Sequence, residues 1–253
     1  MRTLAVMNQK GGVGKTTTTF NLAHALSRRG KNVLLLDMDP QGHLSSCFGL
    51  NNYAMSGLDE VLLYGAPIDQ ELQNVRPGID ILVAGKRLGE LETKSQNSSN
   101  KGYRLHDALA FLKNDRAYDF VLIDCPPAAG LLAMNAILGT DEMIIPVTGD
   151  YLALQGLSRL VQVVRHIEER LDRTTQKWFV LTRFSERRKL AREIRDKMVG
   201  YFPSQVLKTS IRENVALAES PGFAKTIFEY SAKSHGAMDY AQLAEDFLTK
   251  NTL

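Results

Sequence analysis

Eight consecutive residues, Lys10-Gly11-Gly12-Val13-Gly14-Lys15-Thr16-Thr17, carry the densest chemistry in the chain. Three glycines let a backbone curl until several N–H groups face inward, making a nest for phosphate oxygens. An apolar run at residues 4–8 precedes the loop, and a segment of helical period at residues 15–29 follows it. The positive end of that helix dipole adds to the nest. Lys15 is then expected to reach the β- and γ-phosphates of a nucleotide, Thr16 to ligate Mg²⁺ through its hydroxyl, and Thr17 to bond the α-phosphate. A plain Gly-rich turn requires neither the strand–loop–helix setting nor the Gly14-Lys15-Thr16 run.

Two acidic strand ends complete the constellation. Residues 33–37 are apolar up to Asp37 and continue as Met38-Asp39-Pro40-Gln41-Gly42. Residues 120–124 are apolar up to Asp124 and continue as Cys125-Pro126-Pro127. In a parallel sheet the carboxyl ends of the strands open onto the ligand crevice, so these aspartates can act on Mg²⁺ or on an attacking water. Asp124 is expected to hold the metal through a water molecule. Asp37 and Asp39 also fit a strand-ending turn with a capping carboxylate. Cys125 reads as a small buried apolar residue, and Asp119 as a solvent-facing cap.

The elements that must position these residues follow from periodicity. Apolar runs at 4–8, 33–37, 79–84, 120–124, 143–147 and 178–182 lack alternation, as strands buried on both faces of a parallel sheet do. A further short strand is expected at 205–207. Helical periods cover 15–29, 58–64, 104–114, 131–138, 152–171, 186–201 and 235–250. In the first of these, Phe20, Leu22, Ala23, Ala25 and Leu26 form the buried stripe and Gly30 closes the helix. The alternation predicts an α/β fold: a doubly wound, mostly parallel sheet flanked by helices, in a single domain over residues 1–253. Residues 89–102 are polar and aperiodic and are expected to form a surface loop or a frayed helix end. Trp178 reads as core.

Composition narrows the class. With 253 residues, 44% of them hydrophobic, the chain buries a core without covalent staples. Two distant cysteines, Cys47 and Cys125, exclude a disulfide scaffold and a zinc ribbon and point to a reducing, cytosolic setting. The five histidines have no metal-ligand spacing. No run approaches the ~18 apolar residues of a membrane span. Residues 176–212 hold ten Lys/Arg against three acids, +7 in a chain of net charge +3. A basic segment on a mildly acidic body suits an anionic partner, although a solvated helix face has the same composition.

Gln9 stands where the standard phosphate-loop pattern has its first glycine, and Lys10 adds a second lysine. This deviant Walker A loop resembles that of the ParA/MinD-type P-loop ATPases, and within them the ParA/Soj partition ATPases. The resemblance runs from about Arg2 to Leu248 and is weakest over residues 50–118. It implies that Lys10 reaches across a dimer interface to the partner's nucleotide; by spacing alone Lys10 is equally a surface lysine. It implies that Asp39, in Asp37-Met38-Asp39-Pro40-Gln41, orients the hydrolytic water, with Asp37 supporting it. The segment Ser210-Ile211-Arg212-Glu213-Asn214-Val215 resembles the family's adenine-holding segment, which puts Arg212 and Asn214 at the base; a polar helix start fits them too.

The cofactors implied are ATP and Mg²⁺. The partners implied are a second copy of the chain, non-specific nucleoid DNA and an adaptor of ParB type, in the cytoplasm on the nucleoid. The family's DNA-linked arginines fall here on Glu213 and Ala216, so Arg187, Arg188, Lys189, Arg192 and Arg195 become the candidate phosphate contacts. A MinD-like membrane role is disfavoured because the chain ends in a short acidic segment without a basic amphipathic helix. A metallocluster relative would need a cysteine set that two lone thiols do not supply. A nucleotide-switched regulatory module without DNA binding is the remaining alternative.

Overall fold

The computed structural model describes the chain outside residues 94–100, 116–117 and 128–129, with side chains also undescribed at 113–115 and 151–155. Among the described residues eight strands form one sheet: β1 Arg2–Val6, β2 Val33–Asp37, β3 Gln73–Arg76, β4 Ile79–Leu82, β5 Phe120–Asp124, β6 Glu142–Thr148, β7 Gln176–Phe184 and β8 Ile211–Arg212. Their spatial order is β3-β4-β2-β5-β1-β6-β7-β8. All neighbours pair in parallel except β3, which runs antiparallel to β4. β1 is central, and the chain leaving it crosses over β5 to reach β2. The loop after β1 therefore opens at the carboxyl ends of β1, β2, β5 and β6, where sheets of this kind form a crevice.

The helices are α1 Lys15–Ser27, α2 His43–Cys47, α3 Leu58–Tyr64, α4 Glu90–Thr93, α5 Arg104–Asp115 and α6 Leu131–Gly139, then α7 Tyr151–Leu171, α8 Lys189–Tyr201, α9 Val215–Glu219, α10 Ile227–Tyr230 and α11 His235–Thr249. Strand side chains alternate between two cores. Leu4, Val6, Leu35, Leu122 and Ile144 pack on the face covered by α1 and α11. Ala5, Leu34, Leu36, Ile123 and Ile145 pack on the face covered by α5, α6 and α7. Every residue of β2 and β5 is buried, which is why these strands read as continuous apolar runs.

Several expectations shift in detail. The apolar stripe of α1 is buried as expected, and Gly30 follows the helix at φ 72. The expected strand at 205–207 is reduced to two isolated bridges, Val206 to Phe179 and Leu207 to Thr252, and the edge strand forms instead at Ile211–Arg212. α8 begins at Lys189, so Arg187 and Arg188 lie in the turn before it. β3 went unread because Gln73-Asn74-Val75-Arg76 is a polar edge with little buried surface. Around the expected loop at 89–102, residues 90–93 and 101–103 are helical, and residues 94–100 lie outside the described residues. Trp178 is core, 3% exposed.

Candidate functional site: the phosphate loop

The loop between β1 and α1 is tied down at both ends. Asn8 donates from Nδ2 to the Pro146 carbonyl at 2.8 Å, and its Oδ1 accepts the Lys10 N–H at 3.0 Å. Thr182, at the end of β7, donates its hydroxyl to the Val13 carbonyl at 2.8 Å. Between these anchors Gly12 and Gly14 take φ 73 and 91, the left-handed region that side chains disfavour. The chain thus enters α1 with Gly14 at its cap and no side chain satisfying the first N–H groups. Those donors, at the positive end of a thirteen-residue helix, form an anion site.

Lys15 is buried at the floor of the loop, and its ammonium donates to the Lys10 carbonyl at 3.5 Å. Burial holds that ammonium below the usual lysine range, against the pull of Asp124, Cys125 and Asp39. The Thr16 hydroxyl donates to Asp124 Oδ2 at 2.6 Å, and Thr19, one turn on, donates to Oδ1 at 3.3 Å. Asp124 is 1% exposed. Burial, then the neighbouring Asp37 charge, pushes its carboxyl up to about 8. A buried carboxylate bonded to the loop hydroxyl is an environment that a divalent cation would stabilise. Among the described residues no group of three or more His, Cys, Asp or Glu is placed to hold a metal. The donor set suits Mg²⁺, which keeps its waters and takes its other ligands from phosphates.

Asp37 pairs in register with Asp124 across β2 and β5 and is wholly buried. Its Oδ2 accepts both the N–H and the hydroxyl of Ser45, so it fixes the start of α2 and the turn that carries Asp39. Burial raises the Asp37 carboxyl to about 6. Asp39 accepts the Gln41 N–H at 3.0 Å, and its carboxylate acts electrostatically on Lys15 and Asp124. The structure therefore brings Lys15, Thr16, Asp39 and Asp124 together, with Asp37 behind them. Thr17 opens the helix beside Thr16 and is half-buried.

Lys10 points the other way. Its ammonium sits 2.5 Å from Asp150 in the same chain, on the rim of the loop. Asp150 in turn accepts the Thr148 hydroxyl at 2.6 Å. A cavity of about 230 Å³ opens here, bounded by Lys10, Gly11, Gly12, Gly149 and Arg183 among others. A larger cavity of about 730 Å³ lies away from the loop, between α3 and α5.

All but one of the remaining expected contacts already have partners among the described residues. Arg212 makes a two-pronged bond to Asp239, with Nη2 at 2.6 Å and Nε at 3.1 Å. Asn214 caps α9 by accepting the Ala216 N–H at 2.9 Å. Of the basic set, Arg188 faces Glu213 at 3.4 Å and Lys189 faces Glu193 at 3.8 Å. Arg195 bonds Glu186 and Asp196, and Arg192 donates to the Glu186 carbonyl. Arg187 is exposed. Asn8, Thr19, Asp150 and Thr182 were missed in the sequence, where polar residues flanking the motif carry no signal of their tertiary partners. Thr19, three residues after Thr16 on the helix face, was the one that spacing could have found.

The sheet order, the glycine curl and the buried Lys15–Thr16–Asp124 group define a P-loop nucleotide-binding protein of the doubly wound α/β class. The profile of the AAA domain family matches residues 1–177. The chain is 34% identical over 253 residues to the chromosome partitioning protein ParA of Caulobacter vibrioides, spanning 99% of this chain and 95% of that protein. It is 37% identical to the sporulation initiation inhibitor protein Soj of Bacillus subtilis, over 96% of both. Among solved structures, a putative plasmid partition protein of Borrelia burgdorferi bound to AMPPNP superposes with TM-score 0.84 at 25% identity, covering 98% of this chain and 99% of that one. The cobyrinic acid a,c-diamide synthase of Mycobacterium smegmatis with bound ADP and magnesium superposes with TM-score 0.82 at 29% identity, covering 98% and 94%. The chain belongs to the ParA/Soj family of P-loop partition ATPases.

Proposed function

We propose that residues 1–253 act as one ATP-switched unit that positions or segregates a cargo, binding non-specific nucleoid DNA when two ATP-loaded chains pair. The observation that carries this reading is the loop's division of labour. Lys15 lies inside the phosphate nest, while Lys10 stands outside it on an exchangeable, part-exposed ion pair with Asp150. Full-length similarity to ParA and Soj supports the partition role.

The chemistry assigned to the chain is attack of water on the γ-phosphate of ATP. The nest amides and Lys15 hold the β- and γ-phosphates, and Thr16 and Asp124 would hold Mg²⁺. Magnesium, when bound, neutralises charge on the phosphate oxygens. Asp39 accepts a hydrogen bond from the attacking water and fixes its line of approach. Lys10 leaves Asp150 and meets the partner's phosphates, so a lone chain lacks one cation and hydrolyses slowly. Arg212 and Asn214 border the base. An adaptor of ParB type stimulates turnover and so releases the DNA. Arg187 and the basic turn and helix behind it supply the phosphate contacts, whose affinity falls with salt. No helix of the described residues is long and apolar enough to cross a membrane, and the assigned place is the cytoplasm, on the nucleoid.

Sedimentation of the protein with DNA in ADP, in ATP and without nucleotide, at two salt concentrations, tests the proposal. Binding only with ATP and weakened by salt is the expected result. Binding that ignores the nucleotide would overturn the switch.

A further inference from the structure

Arg183 lies beside the phosphate loop and takes no part in holding it. It sits next to last in β7, directly after Thr182, whose hydroxyl anchors the loop at Val13. Its backbone takes φ 50, a left-handed conformation that a side chain of this size rarely adopts. The register of β7 against β8 slips at this position: Thr182 faces Ile211, Phe184 faces Arg212, and Arg183 is the extra residue between them. Such bulges re-aim a side chain beside an active site. Backbone strain of this kind persists where surrounding structure enforces it, and it clusters at functional positions.

The side chain that the bulge turns out is exposed and lines the same cavity as Lys10, Gly11 and Gly12. Three cations border that cavity. Lys10 is held by Asp150 and Arg188 by Glu213. The Arg183 side chain has no hydrogen bond or ion pair among the described residues. A planar fork of donors, strained into place on the outer side of a phosphate loop and left without an anion, is built to receive one.

We propose that Arg183 is a second catalytic cation acting in trans, contacting the triphosphate of the partner chain beside Lys10. The inference rests on the reading that Lys10 crosses to the partner: residues sharing one cavity with Lys10 face what Lys10 faces. The nucleotide in the chain's own nest is already served from inside by Lys15 and the helix amides. Arg183 forms no bond and moves no proton. It stabilises charge on the phosphate oxygens while the water oxygen–phosphorus bond forms. The bridging phosphorus–oxygen bond breaks at the same centre, with its electrons leaving on ADP and the water's proton passing to solvent.

The test is steady-state ATP turnover of the full chain without DNA, with nucleotide affinity measured alongside. Arg183→Met is expected to lower kcat about a hundredfold, with nucleotide affinity within about threefold of the unaltered chain. Mixing Arg183→Met with Asp39→Ala, each nearly inactive alone, is expected to restore turnover. In the mixed pair the Asp39→Ala chain lends its arginine to an intact pocket. An unchanged rate for Arg183→Met overturns the proposal, as does a loss that mixing does not rescue. A defect seen only after DNA is added overturns it too and makes Arg183 a DNA contact. A parallel mixture of Lys10→Ala with Asp39→Ala separates the two claims. Rescue there without rescue for Arg183→Met sinks only the Arg183 role, whereas failure of both sinks the crossing of Lys10 as well.

Discussion

Replacing Asp124 with asparagine should make the nucleotide-free protein more stable while abolishing its turnover. Burial holds the carboxyl up at about 8 in the folded chain, against about 3.9 for a free aspartate. Between those values the folded protein keeps a proton that the unfolded chain has released. Stability of the unliganded protein therefore falls as pH rises from about 4 to about 8 and levels off above that. At about 1.4 kcal/mol per pKa unit, the penalty grows to on the order of 5 kcal/mol by pH 8. Asparagine does not titrate, and its amide oxygen still accepts the Thr16 hydroxyl. Its buried N–H groups are left without acceptors, at a cost of about 1–3 kcal/mol. The net gain is about 2–4 kcal/mol at pH 8, a rise in Tm of about 5–15 °C for a chain of this size. At pH 5 the two effects nearly cancel. Thermal melts of both proteins without nucleotide, from pH 5 to 9, provide the assay. Parallel pH slopes for the two, or a less stable variant at pH 8, would refute the claim that a buried, uncompensated carboxylate waits for a cation at this site.

The same carboxyl gives a calorimetric signature: Mg-nucleotide binding at pH 7 should release close to one proton, seen as a dependence of binding heat on the buffer's ionisation enthalpy. Lys15→Gln should lose nucleotide binding by more than tenfold with little change in Tm, because Lys15 makes only one long bond, at 3.5 Å, in the free protein. Arg212→Ala strips the two-pronged partner from Asp239, whose side chain is 8% exposed, and should cost about 1–3 kcal/mol in denaturant unfolding. If Arg212 also borders the base, adenosine nucleotides weaken in the same variant while inorganic triphosphate does not.

The fold was legible where burial is two-sided. β2 and β5 have every residue buried, and both were delimited to the residue by their apolar runs. The P-loop was equally legible, because a glycine curl between a strand and a helix is a local device whose residues are contiguous. What escaped was held by distant partners. β3 is polar and owes its strand form to pairing with β4. α9 and α10 are too short to show a period. The site shows the same division. Lys15, Thr16, Asp39 and Asp124 announce themselves by motif. Asn8, Asp150 and Thr182 act through hydrogen bonds or ion pairs spanning about 140 residues or more of sequence, which no spacing reveals. The basic stretch illustrates the opposite error. Ten cations in sequence suggested a broad positive face, yet the fold sets Glu186, Glu193 and Glu213 against Arg195, Lys189 and Arg188. The +7 of residues 176–212 already includes Glu186 and Glu193; what the fold adds is Glu213, and ion pairs that break up the basic face.

ATP-dependent pairing turns on Lys10 exchanging Asp150 for the partner's phosphates, and sedimentation equilibrium reads that exchange directly. With ATP, the Asp39→Ala chain should sediment at twice its 28.2 kDa, and with ADP at the single-chain mass. Adding Lys10→Ala should return the ATP form to the single-chain mass while nucleotide stays bound. A pair that forms as well with ADP, or that survives Lys10→Ala unweakened, would contradict it.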